Sequence, residues 1–307
     1  MKIYVSQANE SWIVDRFRDE WYAHNNELST DKISSSDIVW IIAPWSFKKL
    51  KIPKIKNKKV ICTVHHIDIS NFSTKDEKNF KLLDKYVNEY HTISEQSLNQ
   101  LKQFTDKKIT KIPFWVDSGK WFQIPNKTLL RKKYGFDEKD YLIGSFQRDT
   151  EGKDLKSPKL IKGPDIFLEL VKNEFSHKKN LKVVLTGKRR NYLINEFKKN
   201  NINYEYFEMV DVPTLNELYN ILDLYIVSSR IEGGPQAILE CASAKVPIIS
   251  TNVGIASEIL SGKSIFYEKE KFDAEADIET QYSNVKKYFI PNGMKPFIKM
   301  MNKLYES

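Results

Sequence analysis

One stretch constrains this chain more than any other. A short apolar run, Tyr225-Ile226-Val227, is followed by a glycine-rich turn, a helix-forming segment and a second apolar run, Val246-Pro247-Ile248-Ile249-Ser250. Runs this short and this apolar suit buried strands of a parallel sheet. The first run ends in Ser228-Ser229-Arg230, and then comes Glu232-Gly233-Gly234-Pro235. Pro235 suits the first helical position, where its missing N–H costs nothing, and Gly233 and Gly234 let the backbone approach a ligand. Gln236 opens a helix predicted over 236–244, and its N–H groups and positive dipole end face the turn. That is an anion site made of backbone. Glu240 follows Glu232 by eight residues, among Ala237, Ile238, Leu239, Cys241 and Ala242. A carboxylate buried there needs donors, and a ribose diol is one such partner. A turn at Gly254 closes the stretch.

The block from Leu222 to Leu260 resembles the donor-binding core of the family 4 glycosyltransferases, whose signature of Glu, seven residues and Glu is met by Glu232 and Glu240. The resemblance implies an α/β protein of GT-B fold. Two Rossmann-like parallel-sheet domains would face a cleft, and a C-terminal helix would cross back to the first. It also implies transfer of a sugar from a nucleoside diphosphate with retention of anomeric configuration. Arg148, after a strand at 141–145, and Lys162, before Gly163, match in order the family's arginine and lysine that reach the donor diphosphate. Glu232 would position the transferred sugar with help from the Gly233 and Gly234 N–H groups, and Glu240 would hold the ribose. Arg230 is a further donor-binding candidate. Gly187, at the end of a strand over 181–187, would let the nucleotide approach, and Val210 sits where the family offers backbone groups to the nucleobase. His65, at the end of a strand over 60–64, fits the place of a family histidine that faces the donor sugar. The plainer reading gives it a bond to a backbone carbonyl.

The 307 residues suit two domains, expected at 1–120 for the acceptor and 121–285 for the donor, with 286–307 packing back on the first. Strands are expected at 2–6, 37–43, 60–64, 90–94 and 109–113, and helices at 12–23, 79–90 and 95–104, the last capped by Ser94. The second half adds helices at 129–134, 215–222, 282–289 and 296–305 and strands at 204–210 and 264–267. Gln7-Ala8-Asn9-Glu10 stands where many family members have a Gly-Gly turn, and Trp115 stands where the family's interdomain junction has glycine. A linker follows at 117–127, with Trp121-Phe122 as its anchor. The polar loop 149–161 either folds over the site or merely crosses. Lys188-Arg189-Arg190 reads as a solvated helix start, and the acidic run Asp273 to Asp277 as solvated too.

Composition narrows the partners. Net charge is +9, densest at Lys48, Lys49, Lys51, Lys54, Lys56, Lys58 and Lys59. This run is either a solvated loop or a patch for anionic lipid. No recognition motif supports nucleic acid. Two cysteines, Cys62 and Cys241, read as buried free thiols with neither disulfide nor zinc spacing. Residues 2–6 read as a strand rather than a secretory leader, and no apolar run approaches the roughly 18 residues of a membrane span. The expected place is therefore the cytoplasm, with a peripheral membrane contact as an extension. Neither metal nor other cofactor is expected. The expected partners are a nucleoside-diphosphate sugar, UDP-linked before GDP-linked, and a glycan or lipid-linked acceptor. The alternatives are a non-catalytic sugar-nucleotide binder or a related phosphorylase or hydrolase.

Overall fold

A computed structural model describes residues 1–10 and 13–307. Ser11 and Trp12, where the first loop should end and the first helix begin, lie outside the described residues. The chain divides into two compact units, Met1–Trp115 with Ile290–Ser307, and Val116–Phe289.

In the first unit, strands β1 (Ile3–Val5), β2 (Ile38–Ile41), β3 (Lys59–Val64), β4 (Glu89–Thr92) and β5 (Ile109–Lys111) lie side by side in sequence order, all parallel. Alternation along β2 sorts its residues between two faces. Val39 and Ile41 pack with Val60, Cys62, Leu83 and Leu101, while Trp40 packs with Trp21, Phe114, Trp115 and Phe297. Phe297 brings the terminal helix, Lys295–Glu306, into this unit. Trp115 therefore replaces glycine without a left-handed turn. It is fully buried, and its Nε1–H donates to Glu20 Oε2 at 2.9 Å.

On the Trp40 side, a chain of hydrogen bonds fixes one histidine. Trp40 Nε1 donates to Thr63 Oγ1 (2.8 Å), whose hydroxyl lies 2.8 Å from His91 Nδ1. His91 Nε2 is 2.7 Å from the Ile112 carbonyl, which only accepts, so Nε2 carries the hydrogen and Nδ1 accepts from Thr63. Burial is the main force holding the ring's pKa at about 3 rather than 6.5. The unfolded chain binds a proton near pH 6.5 that the folded chain refuses down to about pH 3. Stability is thus whole above pH 6.5 and drains as pH falls through that window, by about 1.4 kcal/mol per pH unit for one proton. Urea midpoints at pH 7.5 and 5.5 should show the loss in the wild type and a smaller loss in His91→Gln. Equal losses would mean that His91 is not its source.

Several local expectations shift. The helix expected at 79–90 spans Thr74–Asp84, because Ser73 and Asp76 form a reciprocal capping box that starts it early. The loop after β1 differs from a phosphate-binding turn, since Asp15 accepts the N–H groups of Asn9 (2.9 Å) and Glu10 (2.5 Å). The lysine-rich run is not one loop. Lys49 donates to the Ala8 carbonyl and Lys58 to Ser36 O (2.5 Å), while Lys59 begins β3.

The second unit holds β6 (Tyr141–Ser145), a small antiparallel hairpin of β7 (Thr150–Glu151) and β8 (Ser157–Pro158), and then β9 (Leu181–Thr186), β10 (Tyr204–Phe207), β11 (Leu224–Val227), β12 (Ile248–Thr251) and β13 (Ile265–Phe266). Its parallel sheet is ordered β10-β9-β6-β11-β12-β13. The chain enters at β6, builds outward to β10, then returns to the other side of β6 with β11. Ligands of open α/β sheets sit at the carboxyl ends of strands where the order reverses in this way. In this sheet that point lies between β6 and β11. The hairpin lies within the polar loop expected at 149–161. The helix expected at 282–289 spans Ile278–Val285, because Asp277, the last residue of the acidic run, caps it. Of the expected linker anchors, Trp121 is fully buried and Phe122 is 47% exposed, so only the first anchors.

No helix among the described residues is long and apolar enough to cross a membrane.

Candidate functional site

The loops that leave β6 and β11 meet. Lys162 Nζ donates to Glu232 Oε1 in an ion pair whose side chains are 20% and 13% exposed, so both charges keep some access to solvent. Ser229 Oγ lies 3.2 Å from Glu232 Oε1 and 3.0 Å from Gln147 Oε1, with one proton to offer the two. Gln147 Nε2 in turn donates to the Lys162 carbonyl at 2.8 Å. Four residues from two loops thus hold the carboxylate and the ammonium in one arrangement. Gln147 and Ser229 escaped the sequence reading. Their position directly after strand ends was the available signal.

Backbone sterics bring these loops together. Gly163 has φ +58°, and a Cβ there would stand 1.8 Å from Ser228 O, so only glycine lets the turn after Lys162 lie on the end of β11. The N–H groups of Arg230 and Ile231 both donate to Ile161 O, at 2.9 and 3.1 Å. Gly254, with φ +56°, supports the other side, because a Cβ on it would come within 2.7 Å of Gly233 O.

The glycine-rich turn leads into the Gln236–Ser243 helix, with Pro235 as N-cap rather than first helical residue and no side chain capping it. Pro235 itself offers no side-chain acceptor to the first N–H groups of this helix. Glu240, within this helix, is buried and accepts from Tyr219 Oη at 2.9 Å. Tyr219 comes from the Val212–Ile221 helix, and no local pattern pointed to it. Gly187 ends β9. Its N–H donates to Glu208 O (2.7 Å) and its carbonyl accepts from Tyr206 Oη (2.9 Å), so what it offers a ligand is the absence of a side chain. Val210 lies partly buried between β10 and the cap of the next helix, Asp211.

Two expected site residues have other partners. All five N–H groups of Arg230 are used, on Asp165 (2.8 and 2.7 Å), Glu268 (2.9 and 2.5 Å) and Leu160 O (2.9 Å). The hydrogen bonds it donates to Asp165 and Glu268 raise its pKa. It ties three segments together and has no N–H left for a phosphate. His65 lies in the first unit, with Nε2 3.0 Å from Ile42 O and its ring stacked on Phe114. That is the backbone-carbonyl role weighed against the sugar-facing one.

Arg148 is exposed, with Nε donating to Thr150 O at 3.1 Å. Partial burial and then the nearby Arg189 lower its pKa. Below it, the expected solvated triplet turns inward at its last member. Arg190 is fully buried and pairs with Asp149 Oδ2 at 2.7 Å, while its Nη2 has no hydrogen-bond partner among the described residues. Burial pushes the Asp149 carboxyl up and the Arg190 guanidinium down, with the pairing opposing both. Among the described residues, no group of three His, Cys, Asp or Glu is placed to hold a metal ion.

Two Rossmann-like parallel-sheet α/β units, the second with cation and carboxylate at its switch point, define the GT-B class of fold. The family model described as "Glycosyl transferases group 1" matches residues 126–280, half of the chain. This chain belongs to the group 1 glycosyl transferases.

Solved structures agree in fold. Anabaena HepE in complex with UDP-glucose matches with a TM-score of 0.79 at 11% identity, over 98% of this chain and 99% of that one. A glycosyltransferase from Rickettsia africae matches at 0.64 and 15% identity, over 98% and 84%. Sucrose-phosphate synthase from Thermosynechococcus elongatus matches at 0.62 and 12%, over 95% and 76%. No curated protein matches the sequence.

Proposed function

We propose that this glycosyltransferase is of the family 4 type. It moves a sugar from a nucleoside diphosphate, UDP-linked by preference, to a hydroxyl of a glycan or lipid-linked acceptor, retaining configuration and using no metal. The Lys162–Glu232 pair at the switch point carries this reading. The two groups neutralise each other, and a diphosphate competes for the ammonium and releases the carboxylate to the sugar hydroxyls. Lys162, Arg148 and the N-terminus of the Gln236–Ser243 helix then stabilise the charge that develops on the diphosphate as its bond to the sugar's C1 breaks. The acceptor oxygen bonds to C1 on the same face, and its proton passes to the departing phosphate. Glu240, braced by Tyr219, holds the ribose.

The UDP complexes of HepE support the choice of nucleotide. Thermal melts against UDP, GDP, ADP and their sugars test it. A ligand at 100 times its Kd adds about 2.7 kcal/mol, enough for a shift of several degrees. The largest shift is expected with UDP compounds. No shift with any of these ligands would favour a non-catalytic role instead, and sugar transferred to water or phosphate would mark a hydrolase or phosphorylase.

A further inference from the structure

A third cation accompanies Arg148 and Lys162, and the hairpin between them delivers it. Thr150 of β7 pairs opposite Pro158 of β8, and the next N–H, that of Lys159, donates to Asp149 O at 2.7 Å. Lys159 is thereby fastened beside the Arg148-Asp149 segment. It also heads the 3-10 turn Leu160–Lys162, and the Lys162 N–H donates back to Lys159 O at 2.8 Å. Lys159 and Lys162 thus stand at the two ends of a single closed turn.

Among the described residues, the Lys159 ammonium makes no hydrogen bond or ion pair, although the residue is partly buried. Burial, then Arg148 and Lys162, lower its pKa, while Glu151 and Glu232 pull the other way. Lys162 has Glu232 as its partner, and Arg230 is saturated by carboxylates. A partly desolvated ammonium held near two like charges is unfavourable until an anion arrives. A group with several oxygens at the switch point would meet all three cations.

We propose that Lys159 is a third cation for the donor's diphosphate, placed there by the β7–β8 hairpin; this rests on the transferase reading above. Arg148 and Lys162 suffice for one phosphate, so Lys159 acts in discriminating the diphosphate from the monophosphate. Its charge-assisted contact should be worth roughly tenfold or more in affinity.

Calorimetric titration of UDP and UMP tests it, or of GDP and GMP where GDP is the nucleotide that stabilises. Lys159→Gln should weaken the diphosphate about tenfold and leave the monophosphate within about twofold. Its melting temperature should hold or rise, since a repulsive charge is gone, whereas a purely structural lysine would lower it. Lys159→Arg should restore most of the diphosphate affinity. Lys156→Gln, an exposed change on the same hairpin, should alter nothing. Equal diphosphate binding by wild type and Lys159→Gln, or equal weakening of both nucleotides, overturns the role of Lys159 alone. A wild type that binds no nucleoside diphosphate overturns the transferase reading and this proposal together.

Discussion

Glu232→Ala should lower turnover roughly a thousandfold, the scale of removing one preorganised group from a transition state, while nucleotide affinity stays level or rises. The direction follows from the ion pair. Glu232 and a diphosphate compete for the Lys162 ammonium, so deleting the carboxylate removes the competitor as well as the group that positions the sugar. Glu240→Ala provides the contrast. It leaves the Tyr219 hydroxyl without its 2.9 Å partner and should weaken the nucleotide. Turnover with donor sugar and acceptor, read beside the thermal shift with nucleotide alone, separates the two variants. If both keep full turnover, the assignment of the site is wrong.

Asp149→Ala should cost the protein about 3–5 kcal/mol, because it strands the fully buried Arg190 guanidinium without its counter-charge. Among the described residues Arg190 Nη2 already lacks a partner, and the neutral Thr186 carbonyl 3.2 Å from Nη1 is what remains to compensate. The Thr150 hydroxyl also donates to Asp149 (2.5 Å) while receiving the Tyr192 N–H (2.8 Å), and the change unties that junction. The pair spans the loop of Arg148 and the turn after β9, so nucleotide affinity should fall with stability. Asp149→Ala combined with Arg190→Met should recover much of the loss, since replacing both charges by apolar groups avoids the unpaired ion. Urea unfolding of the single and double variants measures both. A loss under about 1 kcal/mol for Asp149→Ala would show that the pair is not structural, since that is the scale of an exposed ion pair.

Residues beside a phosphate-binding motif invite the same interpretation, and Arg230 shows where it fails. A basic residue two positions before Glu232 looks like a ligand for phosphate. Its carboxylate partners Asp165 and Glu268 lie 65 and 38 residues away, and only folding brings them to it. Arg190 erred in the opposite sense. Three consecutive basic residues look solvated, yet a left-handed Arg189 (φ +59°) turns the chain so that Arg190 points inward to Asp149. Lys162 was singled out by its resemblance to the family's lysine before a glycine, and the structure sets it against Glu232.

What the sequence determined by itself is the local grammar. Short apolar runs became strands at β6, β9 and β11 within a residue or two of expectation, Ser94 caps its helix, and the Glu232-Gly-Gly-Pro235 turn leads into a helix at Gln236. Periodicity, caps and turn residues act over a few positions, so a short window contains their causes. The tertiary structure alone decided the strand order, with its reversal between β6 and β11, and the pairing of Lys162 with Glu232 across 70 residues. It alone placed Phe297 of the last helix against Trp40 and Trp115. The order of parallel strands depends on which crossovers pack over which faces, and an ion pair depends on where two distant loops end. Both are properties of the assembled sheet, in which no stretch of chain holds all the interacting groups.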